Sequence, residues 1–244
     1  MDTLPERVVA LEGAHNVRDL GGYPLTTGGE TRWRAVLRGD NLSALTDADA
    51  TALLALGVRT VVDLRGDAEL AAQPNPFADG GKLRYLNIPL YDEMAPILAA
   101  DANFDMGARY VAALERCGPR IAEVLAAIAD AAPGAVLFHC TAGKDRTGII
   151  AALLLTLCAV PRETVVADYV LTGRAGALLE KLRRAALARG AAPEHVDLVL
   201  ASAAETIEAM LSYLDSQKGG IGTYLDRIGV DLPTRQRLTQ RLAG

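Results

Sequence analysis

Cysteine is scarce in this chain. Its 244 residues include only Cys117, Cys140 and Cys158, at spacings that suit neither a disulfide framework nor a C-x-x-C metal site. Neither a metal nor a cofactor is expected, and so few thiols fit a reducing compartment. An excess of positive charge is missing too. The formal net charge of −5 argues against nucleic-acid binding, which needs a basic face or arm. Long apolar runs are lacking: the longest, Gly148 to Val160, covers 13 residues and contains Thr156. That length suits a buried helix, so no integral membrane segment is expected. The acidic N-terminus MDTLPERVVALEGAH has no unbroken apolar core and does not read as a signal peptide. Together these absences predict a cytoplasmic protein, with export by a non-classical route left open and the oligomeric state unspecified.

What is present is enough apolar residue, 50% of the chain, to bury a sizeable core. Residues 8–40 hold short β-like pieces broken at Gly21-Gly22 and Thr27-Gly28-Gly29, and Trp33 to Arg38 alternates as a strand does. In LTDADATALLALGV, Thr46 with Asp49 three residues on predicts a capped helix start, and Gly57 its stop. Val58 to Leu64 is apolar and β-branched, as a buried strand should be, and Leu83 to Leu90 reads as another. Residues 105–131 read as helical with a break at Gly118-Pro119, Ala135 to Phe138 as an apolar strand, and 162–217 as helical with an interruption near Gly190–Pro193. A short helical piece is expected after Gly219-Gly220. Strands alternating with helices predict one α/β domain over residues 1–244, with a mostly parallel central sheet flanked by helices and a helical C-terminal part.

The segment FHCTAGKDRTG, Phe138 to Gly148, places a reactive thiol, two cations and an acid between an apolar strand and an apolar helix. A ligand commonly binds beyond the carboxyl end of such a strand. The free N–H groups and positive dipole end of a helix starting near Arg146 favour an anion, phosphate in particular. The same field is expected to ionise Cys140 and make it a nucleophile. Arg146 can grip two phosphate oxygens at once, Lys144 adds a point charge, and Gly143 lets backbone fold tightly around an anion. Thr147 can donate its hydroxyl to the sulfur, Asp145 can protonate a leaving oxygen, and His139 is expected to order the loop.

This segment resembles the signature H-C-x-x-x-x-x-R-[S/T]-G of the cysteine-dependent phosphatases. HCTAGKDRTG is similar to the atypical bacterial protein-tyrosine phosphatase and phosphoinositide phosphatase family, which acts on phosphotyrosine and often on phosphoserine/threonine and phosphoinositides. Asn16 to Tyr23 resembles that family's N-[F/V]-R-D-L-G-G element, Val62 to Arg65 its D-L-R strand end, and Ala167 to Val170 its motif in the helix after the loop helix. Gly222 to Leu225 with Ile228 to Val230 resembles its C-terminal signature. The resemblance implies the cysteine-phosphatase fold, with Cys140 as nucleophile, Arg146 as phosphate clamp, and Thr141, Ala142, Gly143, Lys144, Thr147 and Gly148 around the phosphate.

It also implies that Asp145 is the general acid. Tyrosine phosphatases with a W-P-D motif carry the acid on a separate loop, and the only tryptophan here is Trp33, in Arg-Trp-Arg. Asp63, at a predicted strand end, is the second candidate acid, with pairing to Arg65 as its alternative role; Asp92 is a third. Arg18 and Asp19 are expected to form a salt bridge and turn. The 162–217 helices resemble a helical lid found in some relatives, with packing against the sheet as the alternative. A disulfide between Cys158 and Cys140 is excluded, because about 12 helical residues separate them by roughly 18 Å. The implied activity is a cysteine-dependent phosphatase acting on a phosphorylated protein or phosphoinositide. A non-catalytic phospho-ligand module of the same fold, or sulfur or arsenate chemistry, are the alternatives.

Overall fold

Ala135–His139 forms the middle strand of a five-stranded sheet in a computed structural model that describes residues 7–81, 83–91 and 104–244. The strands are β1 (Arg18–Asp19), β2 (Val36–Gly39), β3 (Val58–Asp63), β4 (Arg84–Asn87) and β5 (Ala135–His139), in the order β1-β2-β5-β3-β4. β1 runs antiparallel to β2, and the remaining neighbours are parallel, as the α/β reading expects. The helices that follow the chain are α1 (Asp47–Ala55), α2 (Asp67–Ala72), α3 (Met106–Arg116), α4 (Gly118–Ala129), α5 (Asp145–Leu157) and α6 (Arg162–Val170). After a 3₁₀ turn at Leu171–Arg174 come α7 (Gly176–Ala188), α8 (Pro193–Leu200), α9 (Ala204–Ser216), α10 (Gly220–Arg227) and α11 (Leu232–Ala243). Among the described residues no helix is long and apolar enough to cross a membrane.

A central parallel strand is covered on both faces and must be apolar on both. In β5, Val136 and Phe138 enter one apolar cluster, and Ala135 and Leu137 enter the other. The first cluster is the larger and takes Tyr110 and Leu114 of α3, Ile121 and Leu125 of α4, Ile149 and Leu153 of α5, and Met210 of α9. The second is closed by Ala50 and Leu53 of α1. Truncating a side chain such as Leu137 to Ala would cost about 2–5 kcal/mol, the usual range for a buried leucine.

Local signals set several boundaries. The Thr46 side chain accepts from Asp49 N–H while the Asp49 carboxylate accepts from Thr46 N–H, the reciprocal cap the sequence predicts. Gly57, at φ +92°, then turns the chain into β3. The strand expected from Trp33 begins only at Val36, since residues 33–35 form a turn with Arg34 at φ 57°. The 162–217 region is divided more finely than expected, by the 3₁₀ turn and again between α8 and α9, and two helices follow Gly219 rather than one.

Gly39 of β2 and Asp63 of β3 both pair in register with His139 of β5. Three parallel strands therefore end level, and the segments beginning at Asp40, Leu64 and Cys140 leave the sheet from one edge.

Candidate active site

From Cys140 to Gly143 the chain turns its carbonyls away from the centre of the loop. His139 Nδ1 lies 3.2 Å from Cys140 O, and Asn41 N–H donates to Thr141 O at 3.1 Å. Asn16 Nδ2 donates to Ala142 O at 2.9 Å, and Arg38 Nη2 to Gly143 O at 2.7 Å. In a trans peptide each carbonyl is antiparallel to the next N–H. Four carbonyls held outward therefore aim the N–H groups of Thr141, Ala142, Gly143 and Lys144 inward. The first turn of α5, which has no side-chain cap, adds its own N–H groups. Such a nest of amides at a helix start is built for an oxyanion. Gly143 is required here: it sits at φ +65°, and a Cβ would lie 2.6 Å from Gly39 O. Cys140, with 2% of its surface exposed, begins this loop.

Arg146 is anchored by a residue that the motif does not contain. Its Nη1 and Nη2 donate to the two Glu69 oxygens at 2.5 and 2.7 Å, and Nη1 also reaches Leu64 O at 3.2 Å. Glu69 is fixed in turn by the Gly66 amide at 3.0 Å and by the Thr141 hydroxyl. The Nη1–Nη2 end of the guanidinium is thus engaged, and among the described residues Nε has no acceptor. Nη2 also donates, at 3.3 Å, to Thr141 Oγ1, so Nε is the N–H left open, and an oxyanion bound bidentately would take the place of the long Thr141 contact. Burial opposes the Arg146 charge, but hydrogen bonding to Glu69 and the nearby Cys140 sulfur hold its pKa above the ordinary value. Burial raises the Glu69 pKa, and Arg146 and Thr141 more than reverse this, bringing it down to about 2. The Tyr91 ring faces Arg146 at 5.7 Å.

Asp145 opens α5, with Oδ1 accepting from Tyr110 OH at 2.8 Å and lying 3.2 Å from Lys144 Nζ. Lys144 is held from outside the loop. Its buried ammonium donates to Val199 O and to Ala201 O at 3.0 Å, which takes two of its three N–H groups, and its charge pairs with Asp145 Oδ1 at 3.2 Å. The charge remains near the loop, while two of its donors are turned away from it to backbone carbonyls at the end of α8. Thr147 Oγ1 is buried and has no partner among the described residues, so the expected bond to the Cys140 sulfur is not made. Gly148 serves packing: its N–H donates to Lys144 O at 2.7 Å within the helix, and a Cβ would meet the Tyr169 ring at 3.1 Å.

The structure does not bring Asp63 into the cradle. It is fully buried, and its carboxylate accepts from Arg65 Nη2 at 2.7 Å, Asn75 Nδ2 at 3.1 Å and Tyr85 OH at 3.1 Å. Burial raises its pKa, but hydrogen bonds from His139 and Arg65 drive it well below the usual carboxylate range. That leaves a permanently charged clamp on Arg65 and His139, the alternative role weighed for it. Asp92 lies outside the described residues. Arg18 and Asp19 do hold the N-terminal segment, with one correction: the salt bridge of Arg18 is to Asp168, at 3.0 Å. Asp19 instead accepts from the Gly21 and Arg34 amides.

Sequence reading missed Glu69, Arg38 and Asn16 as parts of this loop. Arg38 and Arg18 converge on the buried Asp168 of α6, at 2.5 and 3.0 Å, and Tyr23 OH joins them at 2.8 Å. Asn16 lay in a motif already noted, whereas nothing near Glu69 or Arg38 in sequence signals a part in the loop.

Comparison with known proteins bears on the same residues. The sequence model of a family described as "Tyrosine phosphatase family" matches residues 9–244. A protein of Nostoc commune named "Tyrosine-protein phosphatase" is 38% identical over 218 residues, which cover 85% of this chain and 74% of that protein. The "Triple specificity protein phosphatase PtpB" of Mycobacterium tuberculosis is 29% identical over 277 aligned positions, covering 96% of this chain and 98% of that one. The solved structure of P. aeruginosa TpbA with pTyr aligns over 81% of this chain and 98% of its own, at 20% identity and a TM-score of 0.34.

Proposed function

Since this chain belongs to the tyrosine phosphatase family and is a phosphatase, we propose that it cleaves phosphotyrosine through a cysteinyl-phosphate intermediate, with phosphoserine/threonine and phosphoinositide monoesters as secondary substrates. The Cys140 thiolate attacks phosphorus in line, the bond from phosphorus to the ester oxygen breaks, and Asp145 gives its proton to that oxygen. Water then attacks the phosphocysteine, Asp145 takes a proton from it, and the S–P bond breaks to release orthophosphate and the thiolate. Arg146 and the inward amides of residues 141–147 stabilise the charge in both steps.

One observation carries this reading: four consecutive carbonyls, from Cys140 to Gly143, are held outward so that the amides following them converge beside the Arg146 guanidinium. The Tyr91 ring beside Arg146 offers an apolar wall that suits an aromatic ester. Lys144, with two of its three donors spent on backbone carbonyls, is held back from a polyanionic headgroup, which favours phosphotyrosine over phosphoinositides. The name of the mycobacterial relative, a triple-specificity phosphatase, is the support for a wider range.

Cys140→Ser is expected to abolish turnover of p-nitrophenyl phosphate while inorganic phosphate still binds. Appreciable turnover in that variant would refute the covalent step. A panel of phosphotyrosyl, phosphoseryl and phosphoinositide substrates should give the highest kcat/KM for the first.

A further inference from the structure

Two buried tyrosines stand behind the proposed acid. Tyr110 OH of α3 donates to Asp145 Oδ1 at 2.8 Å, and Tyr169 OH of α6 lies 3.0 Å from Tyr110 OH. A phenol has one proton to give. Tyr110 spends its proton on the carboxylate, so the short contact between the tyrosines requires Tyr169 to donate to Tyr110. The chain therefore runs Tyr169 OH to Tyr110 OH to Asp145 Oδ1. The two rings meet edge to face, 5.9 Å apart at 87°, and both residues are almost wholly buried. Gly148 makes room for this arrangement, because any side chain there would press on the Tyr169 ring at 3.1 Å. A motif glycine thus lets a second-helix tyrosine reach the first.

We propose that Tyr110, backed by Tyr169, is a positioning residue for general-acid catalysis: it binds Asp145 Oδ1 and leaves Oδ2 to carry the proton to the leaving oxygen. The inference rests on Asp145 being the acid. With Tyr110 donating to Oδ1 and the Lys144 ammonium 3.2 Å from the same oxygen, the catalytic proton is directed to Oδ2, and the carboxyl is kept from rotating. Burial, and after it the Asp145 charge, raises the Tyr110 pKa well above its usual value, so the phenol stays a donor throughout the working pH range. Burial likewise raises that of Tyr169. Hydrogen bonding of this kind costs nothing to reorganise during the reaction, and a loosened acid forfeits the geometry on which proton transfer depends.

The test is a leaving-group series. kcat/KM is measured for aryl phosphates from p-nitrophenyl to phenyl in the full chain and in Tyr110→Phe, Tyr169→Phe and Asp145→Asn. Poor leaving groups need the proton most. Tyr110→Phe should steepen the dependence on leaving-group pKa, losing about tenfold more with phenyl than with p-nitrophenyl phosphate. Tyr169→Phe should steepen it in the same sense but less, and Asp145→Asn more. A purely structural role would lower every substrate equally, and that parallel loss, or no change, in Tyr110→Phe would overturn the proposal. If Asp145→Asn steepens the slope and Tyr110→Phe does not, only the tyrosine assignment falls. If Asp145→Asn itself leaves the slope unaltered, the acid assignment falls and the tyrosine proposal with it. Both tyrosine variants keep the buried ring, and a thermal unfolding curve for each verifies the fold.

Discussion

The guanidinium of Arg146 offers five N–H groups, and their distribution decides what the loop can bind. Glu69 takes one N–H from each terminal nitrogen, which fixes the plane of the group and leaves Nε without an acceptor among the described residues. Without Glu69 the side chain would keep its charge but lose its aim. Glu69→Gln is therefore expected to lower kcat/KM for p-nitrophenyl phosphate by about tenfold or more, the value of a charge-assisted bond. The pair also links stability to pH. The Glu69 pKa is depressed from 4.5 to about 2 in the folded protein, so its contribution is full above pH 4.5 and lost as pH falls through 2. Denaturant midpoints measured across that window should fall more steeply in the parent protein than in Glu69→Gln. Parallel curves would show that the carboxylate is not coupled to folding.

At the scale of elements, the cradle depends on an ion cluster that joins β1, β2 and α6. Asp168 balances Arg18 and Arg38, all three buried, and Arg38 reaches on to hold the Gly143 carbonyl. Burial raises the Asp168 pKa, but the two guanidinium groups pull it well below the usual range, so it stays charged. Asp168→Asn would leave two buried cations uncompensated and should destabilise the fold by about 3–5 kcal/mol in chemical denaturation. Loss of activity should accompany it, since Arg38 would no longer be held against the loop. Unchanged stability would mean that water or another acceptor replaces the carboxylate. The same cluster shows what a single sequence reveals. Thr46 with Asp49, Gly57, and the loop from His139 to Gly148 were legible because partners a few residues apart leave a local pattern. Arg38 with Gly143 and Arg18 with Asp168 are 105 and 150 positions apart, and only the sheet order and the path of α6 bring them together. The anchoring of Lys144 was hidden for a related reason: its position in the loop was visible, whereas the carbonyls that take two of its donors lie 55 and 57 positions on.

For the whole molecule, Lys144 joins the loop after β5 to the hairpin of α7 and α8. Its ammonium sits on the carbonyls of Val199 and Ala201, at the negative end of the α8 dipole, where a cation is favoured. A second tie comes from His195 of α8, which meets the Phe104 ring edge-on at 4.7 Å. The hairpin lies in the region whose sequence resembles a lid, and these two contacts are among those that join it to the body. Lys144→Met keeps the apolar stem but removes the charge and both bonds. Amide hydrogen exchange across residues 176–200 should then accelerate by about tenfold or more, while β5 and α5 remain protected. A hairpin that is simply part of the core would show no such selective change, and global acceleration would indicate unfolding instead. Turnover should fall as well, because Asp145 Oδ1 loses the ammonium 3.2 Å away, and the loss should grow with poorer leaving groups. Coupled changes in exchange and in leaving-group dependence would mean that one lysine ties the position of the hairpin to the geometry of the acid.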